Sequence, residues 1–228
     1  MDKKIILFFI LVSNFLNAQL KYHFDYALLY DHSIRINENQ KAKLYLINSN
    51  NNDYSIFVFD DNDSIHSNMY LVDYKGIALN IKVNKKLFYK SETINSNCNP
   101  VSRFGNIYKK KAEEYCFEKH NDTLINDTLY FHYEFKSIKS LKYQKRKNIV
   151  STHYIIDKNS NQFKPFLYHS TIYNNWVKTL KLPNGIIKMV YDVNVDKKII
   201  FKQQLIKLIK IDKNFTIPED CYYIKTLK

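Results

Sequence analysis

The stretch MYLVDYKGIALNIKVN, Met69–Asn84, decides the fold class. In its second half Ile77, Leu79, Ile81 and Val83 share one face of an extended chain, and Asn80, Lys82 and Asn84 share the other. Lys75-Gly76 divides the stretch, so the whole reads as a β-hairpin. The same alternation recurs upstream in FDYALLYD (Phe24–Asp31), KLYLINS (Lys43–Ser49) and YSIFVFDD (Tyr54–Asp61). The last is apolar on both faces, Tyr54-Ile56-Val58 and Phe57-Phe59, as suits a central strand covered on both sides. The polar NSNNND and DDNDS between these runs are turns. DDNDS, Asp60–Ser64, has the carboxylates of a calcium loop but lacks the Gly and terminal Glu of an EF-hand, so it is read as a turn. The first half is a five-strand meander.

Ser91–His120 interrupts the pattern. NPVSRFG (Asn99–Gly105) is irregular, and NIYKKKAEEYCFEK (Asn106–Lys119) reads as a short helix with Tyr108, Ala112 and Tyr115 on one side. NDTLINDTLYFHYEFK (Asn121–Lys136) reads as a hairpin about Asn126-Asp127, both tolerant of positive φ, with Leu129, Phe131, Tyr133 and Phe135 toward the core. KYQKRK, Lys142–Lys147, is read as an exposed loop. THYIIDKNS (Thr152–Ser160) and FKPFLYH (Phe163–His169) read as further strands, and STIYNNW (Ser170–Trp176) as a helical turn. Ile187, Met189, Tyr191 and Val193 alternate with Lys188 and Asp192, and Lys198–Asp212 is a final strand that pairs back across Asn194–Lys197. A mainly β, antiparallel domain follows. About ten strands in one sheet must curl or split. The expected architecture is a curved antiparallel sheet or half-barrel with one or two short helices, the helix in its mouth. The alternative is a β-sandwich.

The chain opens with Asp2-Lys3-Lys4, an apolar run Ile5–Val12, and SNFLNAQ. This is the pattern of a secretory signal peptide, too short for a membrane span. Cleavage is expected between Ala18 and Gln19. Residues 1–18 are then the leader, and residues 19–228 a single antiparallel β domain without a transmembrane segment. The destination is the periplasm or the exterior. The net charge is +13, yet only Arg35, Arg103 and Arg146 are arginines among 35 basic residues. Bidentate phosphate and base recognition favours Arg, so no nucleic-acid partner is expected. An anionic lipid or glycan surface is the weighed partner for Lys142–Lys147. In an oxidising compartment two of Cys98, Cys116 and Cys221 should join. Cys98–Cys116 is the favoured pair, because it closes a short, loosely held segment; the other pairings stay open.

Three glycines, Gly76, Gly105 and Gly185, cannot build a phosphate loop or a dinucleotide fingerprint. There is no Cys-x-x-Cys, no His-Glu zinc helix and no Gly-x-Ser-x-Gly. No catalytic residue, cofactor or metal is assigned. The one constellation weighed is His132, His153 and His169 with Glu134 or Asp157, on strands that could be neighbours and so could hold a metal. His132 alternates away from the apolar face, which favours solvent-facing histidines instead. Trp176 and the many tyrosines could stack on sugars, but in a β domain such side chains mostly fill cores.

The leader ending in NAQ resembles those of exported Bacteroidota (flavobacterial) proteins. WVKTLKLPNGIIKMVYD, Trp176–Asp192, resembles the segment that names the GLPGLI family: Leu182-Pro183 matches, Asn184 is inserted before Gly185, and Lys181 replaces the first Gly. HYIIDKNSNQFKPF, His153–Phe166, is similar to half-barrels of the LolA lipoprotein-carrier type, with a strand, an Asp-Lys turn and a Pro. These resemblances imply an envelope protein with a half-barrel fold and no known reaction. Two functions are therefore expected as alternatives. One is a binding module whose concave face holds a lipid, another apolar ligand or an envelope partner. The other is a ligand-free structural or interaction protein. An enzyme ranks third. PNG, Pro183-Asn184-Gly185, reads as a turn that starts a strand.

Overall fold

The computed structural model describes residues 19–33, 42–60, 63–104, 107–218, 221 and 226–227. The expected leader lies outside the described residues, and the first strand starts at Gln19. The meander is as read: β1 (Gln19–Ser33), β2 (Lys43–Asn48), β3 (Asn51–Asp60), β4 (His66–Asp73) and β5 (Ile77–Asn84) pair in sequence order. A second meander comprises β10 (Thr128–Ser137), β11 (Ser151–Asp157), β12 (Ile187–Val193) and β13 (Ile199–Pro218). The two join where β13 lies antiparallel to β1, from Gln19↔Pro218 to Ser33↔Lys202. The result is one open sheet, not a sandwich.

The sheet is curved around a segment of its own chain. Residues 158–186, between β11 and β12, carry helix α4 (Ser170–Thr179) across one face. Tyr173 of α4 donates to Asp53 of β3 (2.7 Å) and stacks on Tyr74 (4.4 Å). Asn175, half a turn on, donates to the carbonyl of Tyr115 (2.8 Å) in β8 (Tyr115–Lys119), which edges the sheet beside β10. In the sheet β3 and β8 lie seven steps apart. Laid flat, these would be about 34 Å from each other. One ten-residue helix touches both because the sheet wraps it.

Each face has its own core. On the inner face Val72, Tyr154, Leu167, Ile172, Trp176 and Val190 pack together, continuous with Leu28, Tyr30, Tyr45 and Phe166. On the outer face of the first meander Phe24, Leu46, Ile56, Met69, Leu79 and Phe215 form another cluster. Residues 85–104 cover it, through α1 (Lys85–Lys90), β6 (Thr93–Asn95) and β7 (Val101–Phe104). Strand β6 lies parallel to β13, and β7 returns beside β5. The buried ammonium of Lys213 fixes α1 by donating to the carbonyls of Phe88 (2.7 Å) and Ser91. Double covering explains why YSIFVFDD is apolar on both sides: Ile56 and Val58 face outward, Phe57 inward.

Several expectations are corrected. Cys98 is bonded to Cys221, and Cys116 is free. Cys98 lies beside the outer cluster to which Cys221 belongs, whereas Cys116 sits on β8 at the far edge, opposite Lys136. The pairing closes a loop of 123 residues. By chain entropy that is worth about 5 kcal/mol. The helix from Asn106 ends at Ala112 as α2 (Ile107–Ala112), and the rest of that stretch is β8. KYQKRK is a helix, α3 (Leu141–Lys147), bounded by Ser140 at its N-cap and Asn148 in the left-handed region at its C-cap. FKPFLYH is irregular, because its polar groups bond outward: Lys164 N–H to Ser49 (2.8 Å), and the Pro165 carbonyl from Asn52 (3.0 Å). Leu129 is exposed. In β12 a bulge leaves Lys188 unpaired, with Ile156↔Ile187 but Ile155↔Met189. Beyond it the alternation shifts phase: Val190 turns inward and Tyr191 outward.

The hairpin about Asn126-Asp127 forms as read, joining β9 (Thr123–Ile125) to β10 with φ of 46° and 61°. Pro183-Asn184-Gly185 is a turn with a packing role. Gly185 has φ +147° and donates to Phe163 (2.8 Å). A Cβ there would lie 2.6 Å from Ile156 Cγ2 and 2.9 Å from the Asp157 carbonyl.

Gly185→Ala should therefore destabilise the protein by about 3 kcal/mol, combining backbone strain with overpacking. Gly76→Ala, whose Cβ would meet only the Phe104 carbonyl at 3.1 Å, should cost less. Urea unfolding of both variants orders them, and equal midpoints would contradict the packing described. Peptide mapping without reductant should recover Cys98 linked to Cys221 and an alkylatable Cys116.

Candidate functional site

Beneath α4 the inner face is filled, and clefts of about 340–540 Å³ open to the surface beside Tyr74 and Phe104, Ala112 and Asn175, and Phe135 and Tyr168. Trp176 is 7% exposed and donates its indole N–H to Leu182 (2.9 Å). Tyr30 donates to Ile187 (2.6 Å), and Tyr74 to Leu167. The interior gap between Ile47, Tyr74, Phe166 and Leu167 holds about 10 Å³. That is about one water. Trp176 is a core residue, not a sugar platform.

The open chemistry lies on the outer face of the second meander, which no other segment covers among the described residues. There the register sets Glu134 opposite His153. His132 Nε2 lies 3.0 Å from His153 Nδ1, and the Tyr191 hydroxyl 3.2 Å from His132 Nε2. His153 Nε2 lies 3.4 Å from Ser151 Oγ and 3.7 Å from Glu134 Oε1. His120, following β8, bonds the other carboxylate oxygen at 3.0 Å and stacks on His132. Tyr191 stacks flat on His153 (4.6 Å). Beside the cluster a cleft of about 500 Å³ runs between α3 and the β12–β13 turn. Leu141, Ile149, Val193 and Ile199 give it apolar walls, with Lys136 and Lys197 at its edge.

Of the histidines weighed from the sequence, His132 and His153 meet, together with Glu134. His169 does not; its ring accepts from Thr171 N–H (3.1 Å) and caps α4. Asp157 accepts from Asn159 N–H (2.9 Å) in the turn after β11. His120 and Tyr191 complete the cluster unforeseen. His120 carries no local signal, and Tyr191 is turned outward only by the bulge. Asp63, from the DDNDS turn, accepts from Ile65 N–H (2.7 Å) and pairs with His66 and Lys82.

Among the described residues no group of three or more His, Cys, Asp or Glu is placed to hold a metal. Nor is Ser151 activated, because Ser151 and Glu134 both face the same nitrogen of His153. A triad needs acid and nucleophile on opposite nitrogens. What the arrangement does is keep three imidazoles beside one carboxylate. Burial first, then the adjacent His153 and His120, hold the His132 pKa down to about 4. Burial and His120 also lower His153, against the pull of Glu134. For Glu134 burial pushes upward, but bonds from Ser151 and His120, with the charges of His153 and Lys136, outweigh it and hold the carboxyl low.

Unfolded, these histidines gain protons as the pH falls through about 6.5. Folded, His132 and His153 stay neutral further down, so the unfolded chain binds more protons and stability falls on acidification from pH 7 toward 4. His169, lowered by burial and by Lys111, adds in the same direction. The melting temperature should drop between pH 7 and pH 5, and His132→Gln with His153→Gln should flatten that drop without removing it. An unchanged pH slope in the double variant would acquit the cluster.

No protein-family model and no curated protein matches the chain. Among solved structures it is similar to an uncharacterized conserved protein from Thermus thermophilus, with TM-score 0.44 and 6% identity over 92% of this chain and 88% of that one. It is also similar to MucB of Pseudomonas aeruginosa, solved with MucA, with TM-score 0.34 and 6% identity over 82% of this chain and 51% of MucB. A third is a domain from Vibrio parahaemolyticus assigned to outer membrane lipoprotein sorting, with TM-score 0.33 and 10% identity over 82% of this chain and 85% of that one. All three scores lie below 0.5, too low to carry function from those proteins to this one.

Proposed function

We propose that this protein is an exported, non-catalytic interaction module of the cell envelope that meets its partner with its outer surface. The observation that carries the reading is the occupied inner face. Residues 158–186 fill the concavity with Phe166, Leu167, Ile172 and Trp176, all buried. A carrier that stores an apolar ligand there would have to expel this segment. Expulsion would expose a large part of the inner core and break the bonds from Tyr74, Asn52 and Tyr173. Of the two functions expected from the sequence, the occupied concavity supports the interaction protein. Export is supported by the leader pattern of residues 1–18 and by the Cys98–Cys221 bond, which belongs in an oxidising compartment. No described helix is long and apolar enough to cross a membrane.

Native mass spectrometry of the protein purified from an exporting host tests this reading. The expected result is the bare polypeptide mass, unchanged after incubation with palmitate or a short-chain phospholipid. A retained adduct in the lipid mass range would replace the reading with an internal carrier.

A further inference from the structure

The outer face of the second meander has a region where charge and apolar exposure coincide. Lys136–Lys147 contains six cations and no carboxylate. Helix α3 carries four of them, Lys142, Lys145, Arg146 and Lys147, and none of its side chains is buried. Across the 500 Å³ cleft the β12–β13 turn adds Lys197 and Lys198. Lys136 and Lys139 are paired with glutamates, Glu118 and Glu114 among them. The lysines of α3 and the turn make no ion pair among the described residues. Between these cations stand exposed aliphatic side chains: Ile138 is 63% exposed, Leu141 59%, Ile199 59% and Ile200 43%.

A helix with no fully buried side chain, anchored by Gln144 through the Ser137 and Lys139 carbonyls and with its cations at the surface, contributes little to the core. Arg146 rests over the Tyr143 ring, and the remaining charges of α3 are lysines. Lysine is a point charge without the fork that grips one phosphate, so it suits a diffuse array of negative charge. Exposed Ile and Leu among such lysines have no use against a hydrated polysaccharide. They do suit an interface with anionic headgroups above and acyl chain below. We propose that α3 and the β12–β13 turn form one lipid-contacting rim, which docks the protein on anionic phospholipid bilayers. The lysines lie at the headgroups, and Leu141 and Ile199 dip beneath them. The inference deepens the interaction-module reading and rests on it, with the bilayer surface as the partner.

Cosedimentation of the protein with vesicles of phosphatidylglycerol in phosphatidylcholine, against phosphatidylcholine alone, tests it. Binding is expected only to the anionic vesicles and should weaken in high salt. The variant Lys142→Glu, Lys145→Glu, Lys147→Glu should bind on the order of 100-fold more weakly, at about fivefold for each cation removed. Because α3 buries no side chain, its melting temperature should stay at the wild-type value. Lys197→Glu with Lys198→Glu provides a second variant on the opposite wall, and it should weaken binding in the same way. Leu141→Ser with Ile199→Ser should weaken binding severalfold while leaving its salt dependence unchanged. Equal binding to neutral vesicles, or wild-type binding by both charge-reversed variants, would overturn the proposal. Retention on an acidic polysaccharide without vesicle binding would overturn it too, in favour of a glycan. Absence of vesicle binding by a protein of bare mass removes this inference alone. A lipid adduct in the native mass spectrum removes the interaction-module reading instead.

Discussion

Everything else in the molecule depends on the pairing of β1 with β13. Each meander pairs strands in sequence order, and neither contains a partner for its own open edge at that seam. The antiparallel register from Gln19↔Pro218 to Ser33↔Lys202 turns two half-sheets into one. It is also where the sheet bends. Register shifts fall between Phe24 and Tyr26 and between Leu29 and Tyr30. Bulges of this kind increase local twist and let a wide sheet coil. The first bulge moves the outward set from Tyr22 and Phe24 to Ala27. The inner set becomes Tyr26, Leu28 and Tyr30. One strand therefore serves two cores.

With the seam in place, coverage explains the distribution of chemistry. The inner face is occupied by residues 158–186, and the outer face of the first meander by residues 85–104. The outer face of β10–β12 is covered by no other segment among the described residues, and the titratable cluster and a cleft of about 500 Å³ are found there. His132 and His153 are costly to ionise because they are half-buried among the cluster's other side chains. The cluster acts as a cross-strand polar layer in which Glu134 holds His120 and His153. The same face ends in α3, whose charge is fully solvated. The two features differ in kind: one is tied inward and neutral at His132 and His153, the other free and cationic.

The period of two made the meanders legible, since strands covered on both faces still announce themselves through β-branched and aromatic runs. Burial from afar was not legible. Helix α1 offers Leu87 and Tyr89 to solvent, so no apolar stripe marks it, although Asn84 at its N-cap accepts from Leu87 N–H (3.2 Å). Helix α3 has no apolar side either, and only Ser140 and Asn148 at its ends betray it. FKPFLYH looks like a strand because its side chains alternate. Its backbone, however, is satisfied by the sheet it plugs rather than by a neighbouring strand. In β12 a single unpaired residue, Lys188, inverted every later assignment, because a one-residue slip exchanges the faces of a strand. Half of the histidine cluster was visible as His132 and Glu134 alternating on β10. His120 and Tyr191 came from loop placement and from the bulge. The cystine required knowing that residues 98 and 221 end beside the same cluster, a fact of closure rather than of spacing.

The seam also fixes when the molecule can exist. Its first strand is made at the start of the described chain, and its partner completes near Pro218, almost at the end. A chain emerging N-terminus first carries β1 without its mate until nearly all of it has appeared. Hairpins such as β4–β5 can flicker into being earlier, but isolated hairpins are marginal in water. Sequence-distant pairing of this sort is slow, because loop closure must precede any reward. Such a chain becomes rigid only once β13 has joined β1. The bond between Cys98 and Cys221 shares that timing: its second half lies just past Pro218, so the cystine can form only when the segment that completes the seam is also present.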